Sequence, residues 1–186
     1  MDWEFFILDG IQTNIRTDAL DFIMKSISFM GKLSLIWIII AVVSLCFKKT
    51  RGFGITLSAD LIMNLLLGNV IIKKIVQRPR PCWMNNTVEL IVSMPKDTSF
   101  PSGHTMFAFG AATIIFLYNK WLGIAAYIFA ILMGFSRMYL YVHFPTDVLF
   151  GGLFGIVFAI AVYYLEKILF RPDKPRLVID NRKALR

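Results

Sequence analysis

Charge is what this chain has least of: 17% of its 186 residues are Asp, Glu, Lys or Arg, against 57% hydrophobic. Soluble domains carry about 25% charged residues. With a mean hydropathy of +0.65, an ordinary water-soluble fold is excluded. Histidine is scarcer, with two copies, His104 and His143. Cysteine also occurs twice, Cys46 in an apolar run and Cys82 in a loop, which implies no disulfide framework. Neither histidine has the set of Cys and carboxylate neighbours that a metal centre needs, so neither metal nor cofactor is expected. The N-terminus begins with Asp2 and Glu4 in place of a basic region and cleavage site, so it does not read as a signal peptide. No internal repeat is present.

What the chain has in abundance is apolar runs, several of which approach the roughly 20 residues that cross a bilayer as a helix. The pattern predicts a single-domain, all-α integral membrane protein, a bundle of five to six transmembrane helices with an N-terminal interfacial amphipathic helix. Residues 1–31 form the interfacial segment, 32–170 the transmembrane core and 171–186 a basic cytoplasmic tail. Spans are expected at Leu33–Phe47, Phe53–Val76, Ser102–Tyr118, Trp121–Tyr139 and Val148–Leu169. Near-helical spacing of Phe5, Leu8, Leu20, Ile23 and Ile27 suggests one or two helices lying at the outer surface; the competing reading makes residues 19–47 one long tilted span. Gly151, Gly152 and Gly155 offer the fifth span a small-residue face for close packing.

The net charge of +8 raises nucleic acid as a partner, but its distribution argues for a membrane. Eleven of the twenty Lys and Arg fall at 48–51, at Lys120 and between Lys167 and Arg186. These places fit cytoplasmic loops and a cytoplasmic C-terminus. The N-terminus is then outside. The end of span two, the start of three, the end of four and the start of five share the extracytoplasmic face. Lys73, Lys74, Arg78 and Arg80 fall there too, against the usual bias, as a binding site would require.

The polar residues gather at those four ends. Span two closes with Lys73-x6-Arg80-Pro81, where prolines on both sides stiffen the backbone that aims the Arg80 guanidinium. Lys74 and Arg78 read as snorkelling to headgroups. Pro101-Ser102-Gly103-His104 opens span three. Ser102 is the expected N-cap, and the free N–H groups and dipole of that helix start suit an anion approaching closely at Gly103. His104 beside it is placed to exchange a proton with a leaving oxygen. Ser136-Arg137-x5-His143-x3-Asp147 leads into span five. Four residues apart on a helical turn, His143 and Asp147 share a face. Asp147 is expected to accept the His143 N–H, leaving the other ring nitrogen free as base or nucleophile. Asp60 and Asn64, one turn apart within span two, read as interhelical glue. Glu89 and Asp97 read as loop solvation.

In this order and spacing the three stretches resemble the signatures Lys-x6-Arg-Pro, Pro-Ser-Gly-His and Ser-Arg-x5-His-x3-Asp of the type 2 phosphatidic acid phosphatase superfamily of membrane lipid phosphatases. The resemblance covers residues 73–147 by motif; members with six spans have one more than the five counted here. It implies that Lys73, Arg80 and Arg137, with Ser102 and the Gly103 amide, cradle a phosphoryl group. It further implies that His143 attacks phosphorus to give a phosphohistidine, that Asp147 orients His143, and that His104 protonates the departing oxygen and then activates water. The implied substrates are lipid phosphates: phosphatidic acid, phosphatidylglycerol phosphate, or an isoprenoid diphosphate such as undecaprenyl diphosphate. The minimal size and outward site lean towards a bacterial enzyme acting on one of the last two. Competing expectations are a lipid phosphotransferase using the same site, and a non-catalytic transporter or scaffold.

Overall fold

A computed structural model describes residues 2–31 and 34–170. Among them every regular element is helical. Helix α1 (Asp2–Asn14) and α2 (Asp18–Met30) form the N-terminal segment, and the Thr17 side chain caps α2 by accepting the Leu20 N–H. Helix α3 (Leu35–Cys46) follows, and the α2–α3 pair bends by 42° at the break between them. Helix α4 (Arg51–Met63) continues through a π-helical stretch, Asn64–Ile72, into α5 (Lys73–Val76). A single turn, α6 (Pro81–Met84), stands in the long loop before α7 (Gly103–Tyr118). Asn119 ends α7 and caps α8 (Lys120–Tyr139), accepting the N–H groups of Trp121 and Leu122 at 3.1 Å. Helix α9 (Pro145–Phe170) starts on its proline, three residues before the expected Val148, because Pro at the first position has no N–H to leave unpaired. The basic tail 171–186 lies outside the described residues.

Among the described residues, three stretches are long and apolar enough to cross a membrane: Arg51–Met84, Lys120–Tyr139 and Pro145–Leu169. The bent α2–α3 pair makes a fourth if it counts as one span. Helix α7 has 16 residues, short for a crossing, and occupies the middle of the bundle, with Met106, Ala108, Ala111, Ala112 and Ile114 fully buried. Around it the other helices turn Ile38, Val42, Ile62, Ile128, Ile131, Leu153 and Val157 outwards, an apolar exterior suited to lipid.

The small-residue face on α9 meets α7, with different closeness at each glycine. A Cβ on Gly155 would stand 2.3 Å from the Met106 carbonyl oxygen, and one on Gly151 2.8 Å from that of Ser102. Gly152 faces the Phe109 ring at 3.5 Å, ordinary packing distance. Because the obstacle at Gly155 is backbone, Gly155→Ala is expected to destabilise the bundle by about 1–3 kcal/mol. The thermal midpoint in detergent reads this, with Gly152→Ala as the tolerated control.

The π-helical stretch sets the phase of the second crossing. A regular α-helix turns about 100° per residue and would put positions 60 and 73 on opposite faces. The wider π turns lag behind that rotation, so Asp60, Asn64, Gly68 and Lys73 all face inwards. Asp60 and Asn64 do not bridge helices: Asn64 Nδ2 donates to Asp60 Oδ1 at 2.9 Å within their own helix, against Gly110 of α7. With no side chain on Gly110, this pair has no interhelical hydrogen-bond partner among the described residues.

A second apolar cluster joins Leu8 and Ile11 of α1 and Met24 of α2 to the turn 139–144. Tyrosine hydroxyls reinforce it, Tyr139 donating to Asp21 and Tyr141 to Asp9, each at 2.6 Å. The N-terminal helices are thus fastened to the turn that carries His143.

Candidate active site

Four chain segments converge on one cavity of about 570 Å³, whose lining includes Lys73, Arg80, Gly103, His104, Arg137 and His143. Two left-handed residues re-aim the chain into it. Gln77 (φ 46°) ends α5 and redirects the segment carrying Arg80, and Tyr141 (φ 58°) turns the chain back after α8. Such a backbone is unfavourable for a side chain with a Cβ and is held here by surrounding contacts. From α2, Gly31 brings the chain against His104, where a Cβ would stand 2.9 Å from the ring.

Hydrogen-bond logic fixes the state of His143. Arg80 Nη1 lies 3.0 Å from His143 Nε2, and a guanidinium only donates, so Nε2 presents its lone pair. Nδ1 then carries the proton and faces Ser99 Oγ at 3.3 Å. Ser99 in turn donates to Asp147 Oδ2 at 2.5 Å. The expected direct His143–Asp147 bond is therefore corrected: Nδ1 and Oδ2 are 3.7 Å apart, and the Ser99 hydroxyl connects them. Burial first, and then the charges of Arg80, Arg137 and Lys73, hold the His143 pKa well below its ordinary value, leaving the ring neutral at pH 7.

Asp147 is completely buried and fully engaged. Its Oδ2 also accepts the Phe144 N–H at 2.8 Å, its Oδ1 accepts Arg78 Nη1 at 2.7 Å, and its carbonyl accepts the Ser102 N–H at 3.0 Å. Arg78 does not snorkel. It donates to Thr146 Oγ1 at 2.6 Å and to Glu4 Oε2 at 2.5 Å, and lies 4.1 Å over the Phe144 ring. A guanidinium with two carboxylates in reach keeps more attraction there than at the headgroups.

Two further expectations change. Ser102 stands at the N-cap of α7 without making a side-chain cap bond; its hydroxyl pairs with Thr105 Oγ1 at 2.9 Å and it is absent from the cavity lining. Gly103 does line the cavity, close to Asn69. Asp97, though exposed, is more than a solvating loop acid: its carboxylate pairs with Lys73 and, at 2.8 Å, with Arg80 Nη2. Arg137 donates to Ser28 Oγ, while its buried Nε has no partner among the described residues. Ser99, Glu4 and Ser28 were not singled out by sequence. Serine beside Pro-Ser-Gly-His was the available signal for the first, and the acidic N-terminus for the second.

Comparison with known proteins identifies the family. Residues 53–171 match the PAP2 superfamily. The chain belongs to that superfamily. An undecaprenyl-diphosphatase of Sulfolobus acidocaldarius is 38% identical over 121 residues, covering 64% of this chain and 58% of that protein. The undecaprenyl-diphosphatase BcrC of Bacillus subtilis is 33% identical over 125 residues, 67% of this chain and 61% of its own length. The chain thus spans about three-fifths of the curated relatives it matches first. Among solved structures, Aquifex aeolicus LpxE superposes with a TM-score of 0.74 at 28% identity, covering 86% of this chain and 94% of that one. A PAP2-type phosphatidylglycerolphosphate phosphatase from Bacillus subtilis gives 0.67 at 27%, covering 91% and 94%.

Proposed function

We propose that this PAP2 chain is a membrane lipid phosphatase that cleaves a phosphomonoester or diphosphate through a phosphohistidine on His143. The observation that carries the reading is His143 Nε2, unprotonated and held by Arg80 Nη1 at 3.0 Å, at a cavity lined by Lys73, Arg80, Arg137 and a second imidazole. Once Arg80 Nη1 turns from Nε2 to a phosphoryl oxygen, Nε2 attacks phosphorus in line with the leaving oxygen, the P–O bond to the lipid breaks and His104 delivers a proton to the departing oxygen. The three cations and the N–H groups at Gly103 stabilise the charge on the transferring phosphoryl group. Water activated by His104 then breaks the N–P bond and frees phosphate. Asp147, through Ser99, holds the Nδ1 proton and stabilises the imidazole as its charge changes.

An amphiphilic substrate fits the surroundings. Next to the cationic cavity runs an apolar groove of about 350 Å³ lined by Ile38, Val42, Leu61 and Leu65, and the two share Ser34, Asn69 and Phe107. A headgroup in the first puts the chains in the second. The names of the two undecaprenyl-diphosphatase relatives favour an isoprenoid diphosphate over phosphatidylglycerol phosphate and phosphatidic acid. Counting α7 as a crossing because its neighbours shield it gives five spans. The basic 48–51 turn and Lys120 then lie inside, and the cavity opens on the extracytoplasmic face of the cell membrane.

Phosphate release by detergent-purified protein without acceptor tests the reading. Undecaprenyl diphosphate, phosphatidylglycerol phosphate and phosphatidic acid are compared with EDTA and orthovanadate arms. Release that persists in EDTA, stops in vanadate and is fastest on the diphosphate is expected; a requirement for Mg2+ or for an acceptor overturns it. Ser99→Ala, which empties the gap between His143 and Asp147, should lower kcat about tenfold with little change in KM, because orientation is lost and binding is not. Equal turnover would remove Ser99 from the relay.

A further inference from the structure

The loop between α6 and α7 places a carboxylate among the cations of the cavity. Asp97 pairs with Lys73 through one oxygen and with Arg80 Nη2 through the other, so its side chain spans the two cations that the first signature supplies. The Asp97 carbonyl also accepts Arg80 Nε at 2.7 Å. A carboxylate and a phosphoryl group call on the same N–H donors with similar geometry. We infer that Asp97 is an internal competitor for the phosphate subsite, displaced by an incoming phosphate and returning to Lys73 and Arg80 to expel it.

The physical need is evident from the lining. Lys73, Arg80 and Arg137 are each less than a tenth exposed, and a phosphate held by three such cations with no neighbouring anion would leave slowly. A carboxylate on a loop supplies repulsion to the bound phosphate and a replacement partner for the cations it vacates. Asp97 is suited to swing: its side chain is 58% exposed, whereas the cations it touches are anchored on α5 and beside α6. Burial works to raise its pKa, but the Lys73 hydrogen bond and the Arg80 charge outweigh that and hold it at about 2. The competitor is therefore ionised throughout the working range. The backbone near it is secured independently of the carboxylate, by Asp97 O on Arg80 and by the Ser99 N–H on Arg78 O at 2.8 Å. Removing the charge consequently leaves the loop in place.

The inference rests on the phosphatase reading of the same cavity, and direct binding separates the two. Inorganic phosphate is titrated calorimetrically into purified wild type, Asp97→Asn and Asp97→Glu, and phosphate release by the wild type is measured alongside. Loss of one nearby negative charge should tighten phosphate binding about tenfold in Asp97→Asn. Asp97→Glu, which keeps the charge, should stay within about twofold of wild type. The KM for the lipid should fall with the phosphate Kd. A merely positioning carboxylate predicts the opposite, weaker phosphate and higher KM once Lys73 and Arg80 lose their brace. Unchanged or weaker binding in Asp97→Asn, equal tightening in Asp97→Glu, or no phosphate binding by any of the three overturns the inference. Wild type that releases phosphate while Asp97→Asn binds it no tighter sinks the competitor alone. Tighter binding without any wild-type release sinks the phosphatase reading and leaves the competitor standing.

Discussion

His143→Ala should abolish phosphate release, by roughly four to six orders of magnitude in kcat, with lipid binding retained. Losses of that size follow removal of a nucleophile whose partners cannot act without it. The cations survive the substitution, since Arg80 keeps its bonds to Asp97 and to the Val142 carbonyl at 2.7 Å. The ring is buried, so a fold check is needed; His143→Gln keeps polar bulk in the space and should be equally inactive. Rapid quenching of the wild type should trap a phosphoenzyme that acid destroys and alkali spares, the behaviour of an N–P bond. Variants that retain a tenth of wild-type turnover, or a phosphoenzyme that persists in His143→Gln, would require another nucleophile.

The second large effect belongs to His104. Loss of a positioned general acid typically costs about 10²- to 10⁴-fold, and His104→Ala should fall in that range on a lipid phosphomonoester, whose alkoxide leaves poorly unprotonated. On p-nitrophenyl phosphate, whose leaving group needs no proton, the first step should persist while hydrolysis of the phosphohistidine slows. The variant should then show a burst of nitrophenolate and accumulated phosphoenzyme. Equal loss on both substrates with no burst would deny His104 the acid role. The two variants thus divide the chemistry: one removes the intermediate, the other preserves it.

The reach of the sequence follows from how few polar residues it contains. In a chain where apolar runs cover most positions, His104, Arg137, His143 and Asp147 stand out at the ends of runs. The structure does bring His104, Arg137 and His143 to one cavity. Helix boundaries were legible within a few residues because Asn119, Pro145 and the turn at 48–50 mark them. Pairings across long separations were not. Arg78 and Glu4 are 74 positions apart, and a short acidic N-terminus carries no sign that one of its carboxylates is destined for burial. Asp97 looked like any loop acid because charge on a loop is ordinarily solvated, and only the folded chain sets it between Lys73 and Arg80. Ser99 was hidden for a different reason: its hydroxyl matters through a gap of 3.7 Å that helical spacing alone would have closed.

The wide coil at Asn64–Ile72 gives the second crossing two independent settings. The α4 half of that crossing is clocked by packing against α3 and α7, its α5 turn by the direction in which the Lys73 ammonium has to point. A mismatch between those clocks would force one of them to yield in a uniform rod. Slack in the winding absorbs it, so the packed half keeps its seat while the charged tip keeps its bearing.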